Sequence, residues 1–336
     1  MSDDNHTMKA LVLENYGEAL QVQEVPRPLA GKGEVLVRIH ASGINPLDIK
    51  IKAGHAGHAK TRLPAILGID LAGVVEAVGE GVTRFKEGDE VYGMTGGVGG
   101  IQGTLAEYAA ADADLLAIKP SNFSMRQAAA MPLVFITAWE GLVDRARVQA
   151  GQQVLIHGGA GGIGHMAVQL ARSYGADVYA TVSSGNKKAL IQGYGATPID
   201  YVANTVEEYL DEYTNNEGFD IVFDTIGGAT LDASFTAVKK YTGHVVSALG
   251  WGSHSLAPLS FRGATYSGIF TLLPLLSGKG RKHHGAIMEQ AAFLAEAGKL
   301  LPLLDKRRFT MEAANEAYSI METQTATGKL VIEMIK

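Results

Sequence analysis

The stretch Val154-Leu155-Ile156-His157-Gly158-Gly159-Ala160-Gly161-Gly162-Ile163-Gly164 decides the architecture. Its apolar opening, 154–157, reads as a buried strand, and the segment 164–174 beyond the glycines is amphipathic and reads as a helix. Gly159, Gly161 and Gly164 satisfy G-x-G-x-x-G. In a glycine-rich chain that pattern alone is weak, since ordinary turns produce it. Between a strand and a helix of a βαβ unit it acquires a physical meaning. Residues without side chains let backbone N–H groups approach a diphosphate, and the helix N-terminus adds unsatisfied donors and about half a positive charge. Gly161, Gly162 and Ile163 are the expected donors, and Gly164 is expected to let helix and strand pack closely.

Downstream of this turn, strands expected at 178–182, 197–199, 220–224, 243–249 and 265–270 alternate with helices at 187–194, 206–213 and 230–238. That alternation predicts an α/β fold, a doubly wound parallel sheet covered on both faces. Before about residue 131 the pattern differs. Short runs at 8–13, 34–42, 68–79 and 88–93, bounded by Gly or Pro, predict a β-rich, barrel-like domain. Two helices, 284–297 and 311–323, and a strand at 329–335 close the chain. A length of 336 residues suits about two domains, so the doubly wound part is expected to be inserted in the β-rich one.

Composition narrows the function. Glycine, 41 of 336 residues or about 12%, exceeds the usual ~7% and fits many tight turns and close backbone approaches. A formal charge of −6 disfavours nucleic acid as a partner, because phosphate neutralisation needs surplus Lys and Arg. The absence of cysteine excludes disulfides, a thiolate nucleophile and Cys-ligated metal centres. His55-x-x-His58 and His283-His284 lie in Gly- or Lys-rich segments that read as loops with surface imidazoles, so no metal is expected. Residues 1–7 are polar and do not read as a signal peptide. The apolar run 128–139 is interrupted by Pro132 and Thr137 and falls short of the ~20 residues of a membrane span. A cytoplasmic protein without membrane association is the expectation.

The second strand of the parallel sheet selects the dinucleotide. An NAD site places Asp or Glu at its tip to accept from the ribose 2′-OH. Here the tip reads Ser183-Ser184-Gly185-Asn186-Lys187-Lys188, and Asp177 lies at the other end of the strand. Two hydroxyls and two lysines favour a 2′-phosphate, and one charge-assisted hydrogen bond of about 1.5–3 kcal/mol gives roughly ten- to a hundredfold preference. The expectation is NADP(H); the alternative is that Lys187 and Lys188 are the solvated start of a helix.

Several ordered motifs then resemble one family. They are Met8-Lys9-Ala10 with Asn15-Tyr16-Gly17, Gly43-Ile44-Asn45-Pro46-Leu47-Asp48, the stretch from Leu63-Pro64 through Gly68-Ile69-Asp70-Leu71-Ala72-Gly73 to Gly79, Gly88-Asp89-Glu90-Val91-Tyr92-Gly93, and Gly103-Thr104-Leu105-Ala106-Glu107-Tyr108. With the glycine turn they resemble the zinc-independent medium-chain dehydrogenases/reductases, close to the quinone oxidoreductases of the ζ-crystallin type. The resemblance implies a GroES-like catalytic domain, 1–130 and 273–336, around a Rossmann domain, 131–272, with a cleft where the two meet. It places Lys187 and Tyr201 at the adenosine 2′-phosphate and Thr137 at the nicotinamide. Leu249, Gly250, Phe270 and Lys329 fall in segments that line the same cofactor, and the strand from Thr265 to Phe270 corresponds to the edge through which relatives form homodimers. Zinc-dependent cousins carry Gly-His-Glu where this chain has Gly68-Ile69-Asp70, and a Cys ligand near Ile44–Asp48. Lys50 and Lys52 replace a substrate-facing Tyr and a following Arg, which weighs against a simple benzoquinone.

The implied activity is hydride transfer from NADPH to a small electrophilic acceptor, a quinone or an α,β-unsaturated carbonyl, without zinc. Asn45 is the candidate to hold the nicotinamide ribose or the acceptor carbonyl, with Asp48 orienting it; alternatively both cap their own backbone at a strand-end turn. No general acid stands out, which leaves water as the proton source. Reduction of enoyl thioesters, or a non-catalytic NADPH-binding, crystallin-like role, are the other readings.

Overall fold

The computed structural model describes residues 6–183 and 185–335. They form two compact units: Met1–Leu133 with Leu272–Gly298 and Pro302–Lys336, and Val134–Thr271 with Lys299–Leu301.

The second unit is the doubly wound one. Its sheet runs Thr197–Asp200, Asp177–Val182, Gln153–Ile156, Ile221–Asp224, His244–Ser247, Thr265–Gly268, every pair parallel. The central strands are almost wholly apolar (Val154, Leu155, Ile156; Ile221, Val222, Phe223) and buried, as a parallel sheet covered on both faces requires. The order reverses direction between Gln153–Ile156 and Ile221–Asp224, and a doubly wound sheet binds its ligand at the carboxyl ends beside such a switch point. The glycine turn sits there.

In the first unit, Glu34–Gly43 pairs antiparallel with Asp70–Val78, Tyr108–Asp112 and Val331–Glu333, and Glu90–Met94 and Leu116–Ile118 extend the sheet. A smaller sheet joins Gln21–Pro26, Thr7–Leu13 and Ala65–Ile66. Val35, Val37, Ile39, Leu71, Val75, Val91 and Tyr92 fill the core, and the Tyr92 hydroxyl donates to Met288 O at 2.7 Å, tying the helix Arg281–Glu296 onto the sheet.

Several expectations need correction. The final strand is confined to Val331–Glu333 and the edge strand to Thr265–Gly268. Residues 311–323 begin as a 3-10 turn, Met311–Ala313, before the helix Ala314–Glu322. His284 is not a loop imidazole: it is fully buried on the helix Arg281–Glu296, with His283 exposed beside it. The helix repeat turns one of two neighbouring residues inward, whatever the polarity of the flanking sequence. No helix among the described residues is long and apolar enough to cross a membrane.

Candidate active site

The glycine turn is built by close approach. A Cβ on Gly164 would lie 2.1 Å from Gly158 O, and one on Gly159 would lie 2.5 Å from Ala180 Cβ, so neither position admits a side chain without displacing backbone or strand. Gly158 adopts φ +72° and donates to Thr181 Oγ1 at 2.9 Å, and Gly159 N–H donates to Thr181 O at 3.1 Å. Gly161 is the N-cap of the helix Gly162–Ser173. Its own N–H closes the turn onto Gly158 O at 2.9 Å, so the donors left for an anion are those of Gly162 and Ile163, in the first helical turn where no carbonyl partner exists. Beneath the turn, burial pushes the His157 imidazole down to about 4, against the opposing pull of Asp224, and keeps it neutral.

At the adenosine end, Val182 pairs with Asp200, so Ser183 and Tyr201 follow neighbouring strands out of the sheet. The two lysines separate cleanly. Lys188 is paired with Asp200 at 2.8 Å. Lys187 reaches the Ser183 hydroxyl at 3.3 Å and, among the described residues, no carboxylate. Tyr201 is exposed. Ser184 lies outside the described residues. A nucleotide 2′-phosphate would find one available ammonium and a hydroxyl here, and the side-chain-free cradle fits a diphosphate.

Asp224, which sequence reasoning missed, ties the neighbouring strand ends together. Its buried carboxylate accepts from Ile226 N (3.0 Å), Gly227 N (2.9 Å) and Ser247 Oγ (2.7 Å), and Leu249 N–H donates to Ser247 Oγ at 3.2 Å. Gly250 follows, where a Cβ would come within 2.2 Å of the Tyr266 hydroxyl. The Phe270 ring meets Trp251 edge-on at 6.2 Å. Thr137, on the helix Pro132–Trp139, is buried with its hydroxyl 3.1 Å from that of Thr271.

Within the first unit, Asn45, Asp48, Asp70 and Lys329 form one buried polar cluster. Asn45 caps the helix Pro46–Lys52, and the Asp48 carboxylate accepts the Asn45 N–H at 2.8 Å. The Asn45 side chain does more than cap: Nδ2 donates to Asp70 Oδ2 at 2.9 Å, and Oδ1 accepts from Lys329 Nζ. Lys329 also donates to Ile44 O at 3.0 Å, and Asp70 Oδ1 accepts from Leu133 N at 2.9 Å. Opposite neighbours on its two amide atoms fix which way the Asn45 amide faces. Asp48 Oδ1 and the Tyr318 hydroxyl, both buried, have no hydrogen-bond partner among the described residues. Burial raises the Asp48 carboxyl to about 7, with the Asp70 charge adding to it and the Asn45 N–H and Lys329 opposing. Burial also raises Asp70 to about 6, with Lys329 the chief opposing influence. Desolvation lowers the Lys329 ammonium and the two aspartates oppose it.

Comparison with known proteins places this architecture. Residues 31–121 match the alcohol dehydrogenase GroES-like domain, and residues 194–332 match the zinc-binding dehydrogenase domain. The chain is 35% identical, over 97% of its length and 79% of the relative's, to the chloroplastic NADPH-dependent alkenal/one oxidoreductase of Arabidopsis thaliana. It is 30% identical to the quinone oxidoreductase of Sus scrofa over 99% of both chains. The chain belongs to the medium-chain dehydrogenase/reductase superfamily. A solved alcohol dehydrogenase superfamily protein from Novosphingobium aromaticivorans superposes with a TM-score of 0.96 at 53% identity, covering 98% of this chain and all of that one. The doubly wound Rossmann sheet and the GroES-like unit expected from sequence are the folds of this family. The zinc in the second domain's description has no counterpart in a donor set here: among the described residues no three His, Cys, Asp or Glu side chains gather as a metal site.

Proposed function

We propose that this medium-chain dehydrogenase/reductase is an NADPH-dependent oxidoreductase that reduces enones, enals or quinones. The observation that carries the reading is the glycine cradle together with an adenosine end where Asp200 is taken up by Lys188 and Lys187, among the described residues, meets no carboxylate; the Arabidopsis relative named for NADPH and alkenals supports it. NADPH supplies the hydride, and the protein's contribution is position and donors toward the oxygen on which charge develops. Gly162 and Ile163 hold the diphosphate, while Ser183, Lys187 and Tyr201 hold the 2′-phosphate. Thr137, Leu249, Gly250 and Phe270 line the nicotinamide half. In the GroES-like unit, Asn45 uses one amide hydrogen on Asp70; its second N–H is the donor to the ribose or to the acceptor carbonyl, and Asp48 with Lys329 holds it in register. Two copies pair through the exposed edge strand Thr265–Gly268, which buries an otherwise open row of backbone groups.

The test follows NADPH oxidation against a panel of enals, enones, quinones and an enoyl thioester, with and without a chelator. Turnover of the enals and enones, unaffected by chelation, is expected. Activity confined to the enoyl thioester, absence of turnover on every acceptor, or loss on chelation overturns the reading.

A further inference from the structure

Outside the residues assigned above, the GroES-like unit carries a second glycine-rich turn. Five of the eight residues 96–103 are glycine: Gly96, Gly97, Gly99, Gly100 and Gly103. Gly99 and Gly100 are successive left-handed residues, at φ +63° and +81°, and a Cβ on Gly96 would lie 1.9 Å from Gln102 O. The turn is held from several sides. Gly97 N–H donates to Ile101 O at 3.2 Å, Ile101 N–H to Val98 O at 3.0 Å, and Gly99 N–H to Ala59 O at 2.9 Å. Thr61 Oγ1 donates to Gly97 O at 3.2 Å and fixes the loop around residue 61 against it. Glycine at this density costs backbone entropy on folding, and tight turns or the close approach of a ligand are what call for it.

The turn and that loop line a cavity of about 240 Å³. At ~30 Å³ per water it has room for roughly eight waters, more than a simple ion fills and less than the ~300 Å³ of an ordinary small-molecule pocket. Pro64, Ile66 and Ile101 give it an apolar wall, and Arg62, Gly100 and Gln102 a polar one. Arg62 is exposed and meets no acceptor or ring among the described residues. The backbone N–H groups of Gly100 and Gln102 have no acceptor among those residues either, while the Gln102 side chain is engaged on Tyr108 O at 2.7 Å.

The surroundings have the sign for an anion. Residues 49–69 carry Lys50, Lys52, Lys60 and Arg62 and no Asp or Glu, and residues 91–106 carry no charged side chain, in a protein whose formal charge is −6. A guanidinium is a planar fork matched to the two oxygens of a carboxylate, and the N–H groups of a turn make anion-binding concavities. One guanidinium on the cavity suits a single negative charge, and the apolar wall suits a short hydrocarbon body. We infer that Arg62 and the 96–103 turn form a binding site for a short monocarboxylate, with Arg62 on the carboxylate and Pro64, Ile66 and Ile101 against the hydrocarbon. Neither NADPH nor Asn45 takes part in this site.

The test is titration of the full chain with butanoate, butanamide and butyl phosphate, followed through the amide resonances of Gly100 and Gln102, in wild type, Arg62→Gln and Arg62→Lys. Unchanged thermal unfolding midpoints establish that the exposed substitutions leave the fold intact. Butanoate is expected to shift both amides. Butanamide, of the same size without the charge, is expected to bind about tenfold more weakly, as one charge-assisted hydrogen bond implies. Arg62→Gln is expected to weaken butanoate by about tenfold, and Arg62→Lys to restore only part of the affinity, because an ammonium does not make the paired bonds. Equal affinity for butanamide, butanoate binding that survives Arg62→Gln, or no shift of either amide with any probe overturns the inference. Tighter binding of butyl phosphate than of butanoate overturns the assignment to a carboxylate.

Discussion

Asp48→Asn tests the buried cluster through its pH dependence. The Asp48 carboxyl is raised from 3.8 to about 7, so between those values the unfolded chain has released a proton that the folded chain still holds. Stability from this group is complete below pH 3.8 and is lost as pH rises toward 7. With 1.36 kcal/mol per pK unit, the ionised form costs the fold about 1.7 kcal/mol at pH 5 and about 4 kcal/mol at pH 8, a difference of roughly 2–3 kcal/mol. Asparagine imitates the protonated carboxyl and does not titrate. Relative to wild type, Asp48→Asn is therefore expected to gain about 2–3 kcal/mol between pH 5 and pH 8.

Comparison of the two proteins matters because other groups titrate in the same window. Asp70, raised to about 6, works in the same direction as Asp48. His157, lowered to about 4 by burial, works in the opposite one: its contribution is present above 6.5 and is lost as pH falls toward 4. Lys329, Asp70 and Tyr318 surround Asp48 in both proteins, so the difference curve reports the Asp48 charge together with its coupling to Asp70 and Lys329, while distant groups such as His157 cancel. The assay is urea unfolding at half-unit steps from pH 5 to pH 8, followed by a probe in the GroES-like unit, with infrared absorption of the protonated carboxyl as a direct readout. Parallel stability curves for the two proteins, or loss of the carboxyl band before pH 6, would refute the assignment of the proton to Asp48.

Three further outcomes follow from the Rossmann unit. Gly164→Ala places a Cβ 2.1 Å from Gly158 O and is expected to lower stability by about 1–3 kcal/mol and to raise the dissociation constant for NADPH, measured by titration; Gly193→Ala, with nothing within 4 Å, is the neutral control. Lys187→Ala is expected to weaken NADPH by about tenfold, the low end for one charge-assisted bond at an exposed site, and to leave NADH unchanged, whereas Lys188→Ala, already paired with Asp200, changes neither. Thr265→Asp with Gly268→Asp sets carboxylates on the exposed edge strand and is expected to convert a dimer to a monomer in sedimentation without loss of NADPH affinity; an unchanged sedimentation coefficient counts against pairing through that edge.

What was legible in the sequence was local. The glycine turn announces itself because strand, bend and helix are consecutive, and the alternation of apolar runs with amphipathic segments carries the parallel sheet. Tyr108–Asp112, by contrast, is Tyr-Ala-Ala-Ala-Asp, whose alanines favour a helix, yet it pairs in register with Glu34–Arg38. Tertiary pairing overrides propensity there. Gln21–Pro26 is mostly solvent-facing and offers no buried alternation to read. Lys187 and Lys188 are identical neighbours in sequence, and only the position of Asp200 on the adjacent strand separates an engaged lysine from an available one.

The same distinction governs Asn45 and Asp48. A local reading captures the cap, because the Asp48 carboxylate on the Asn45 N–H spans three residues. It cannot capture Asp70, 25 residues away, or Lys329, 284 away, which grip the two ends of the Asn45 amide. Capping the helix Pro46–Lys52 needs neither of them. Three ionisable groups in a dry interior are a poor route to stability, since apolar replacements of similar volume are commonly neutral or better, and the raised carboxyl of Asp48 makes that cost explicit near neutral pH. What the cluster secures is direction: one amide held in one orientation, with one hydrogen left over. A local cost tied to a fixed donor is the pattern expected where a sequence departs from its own best packing for the sake of a site.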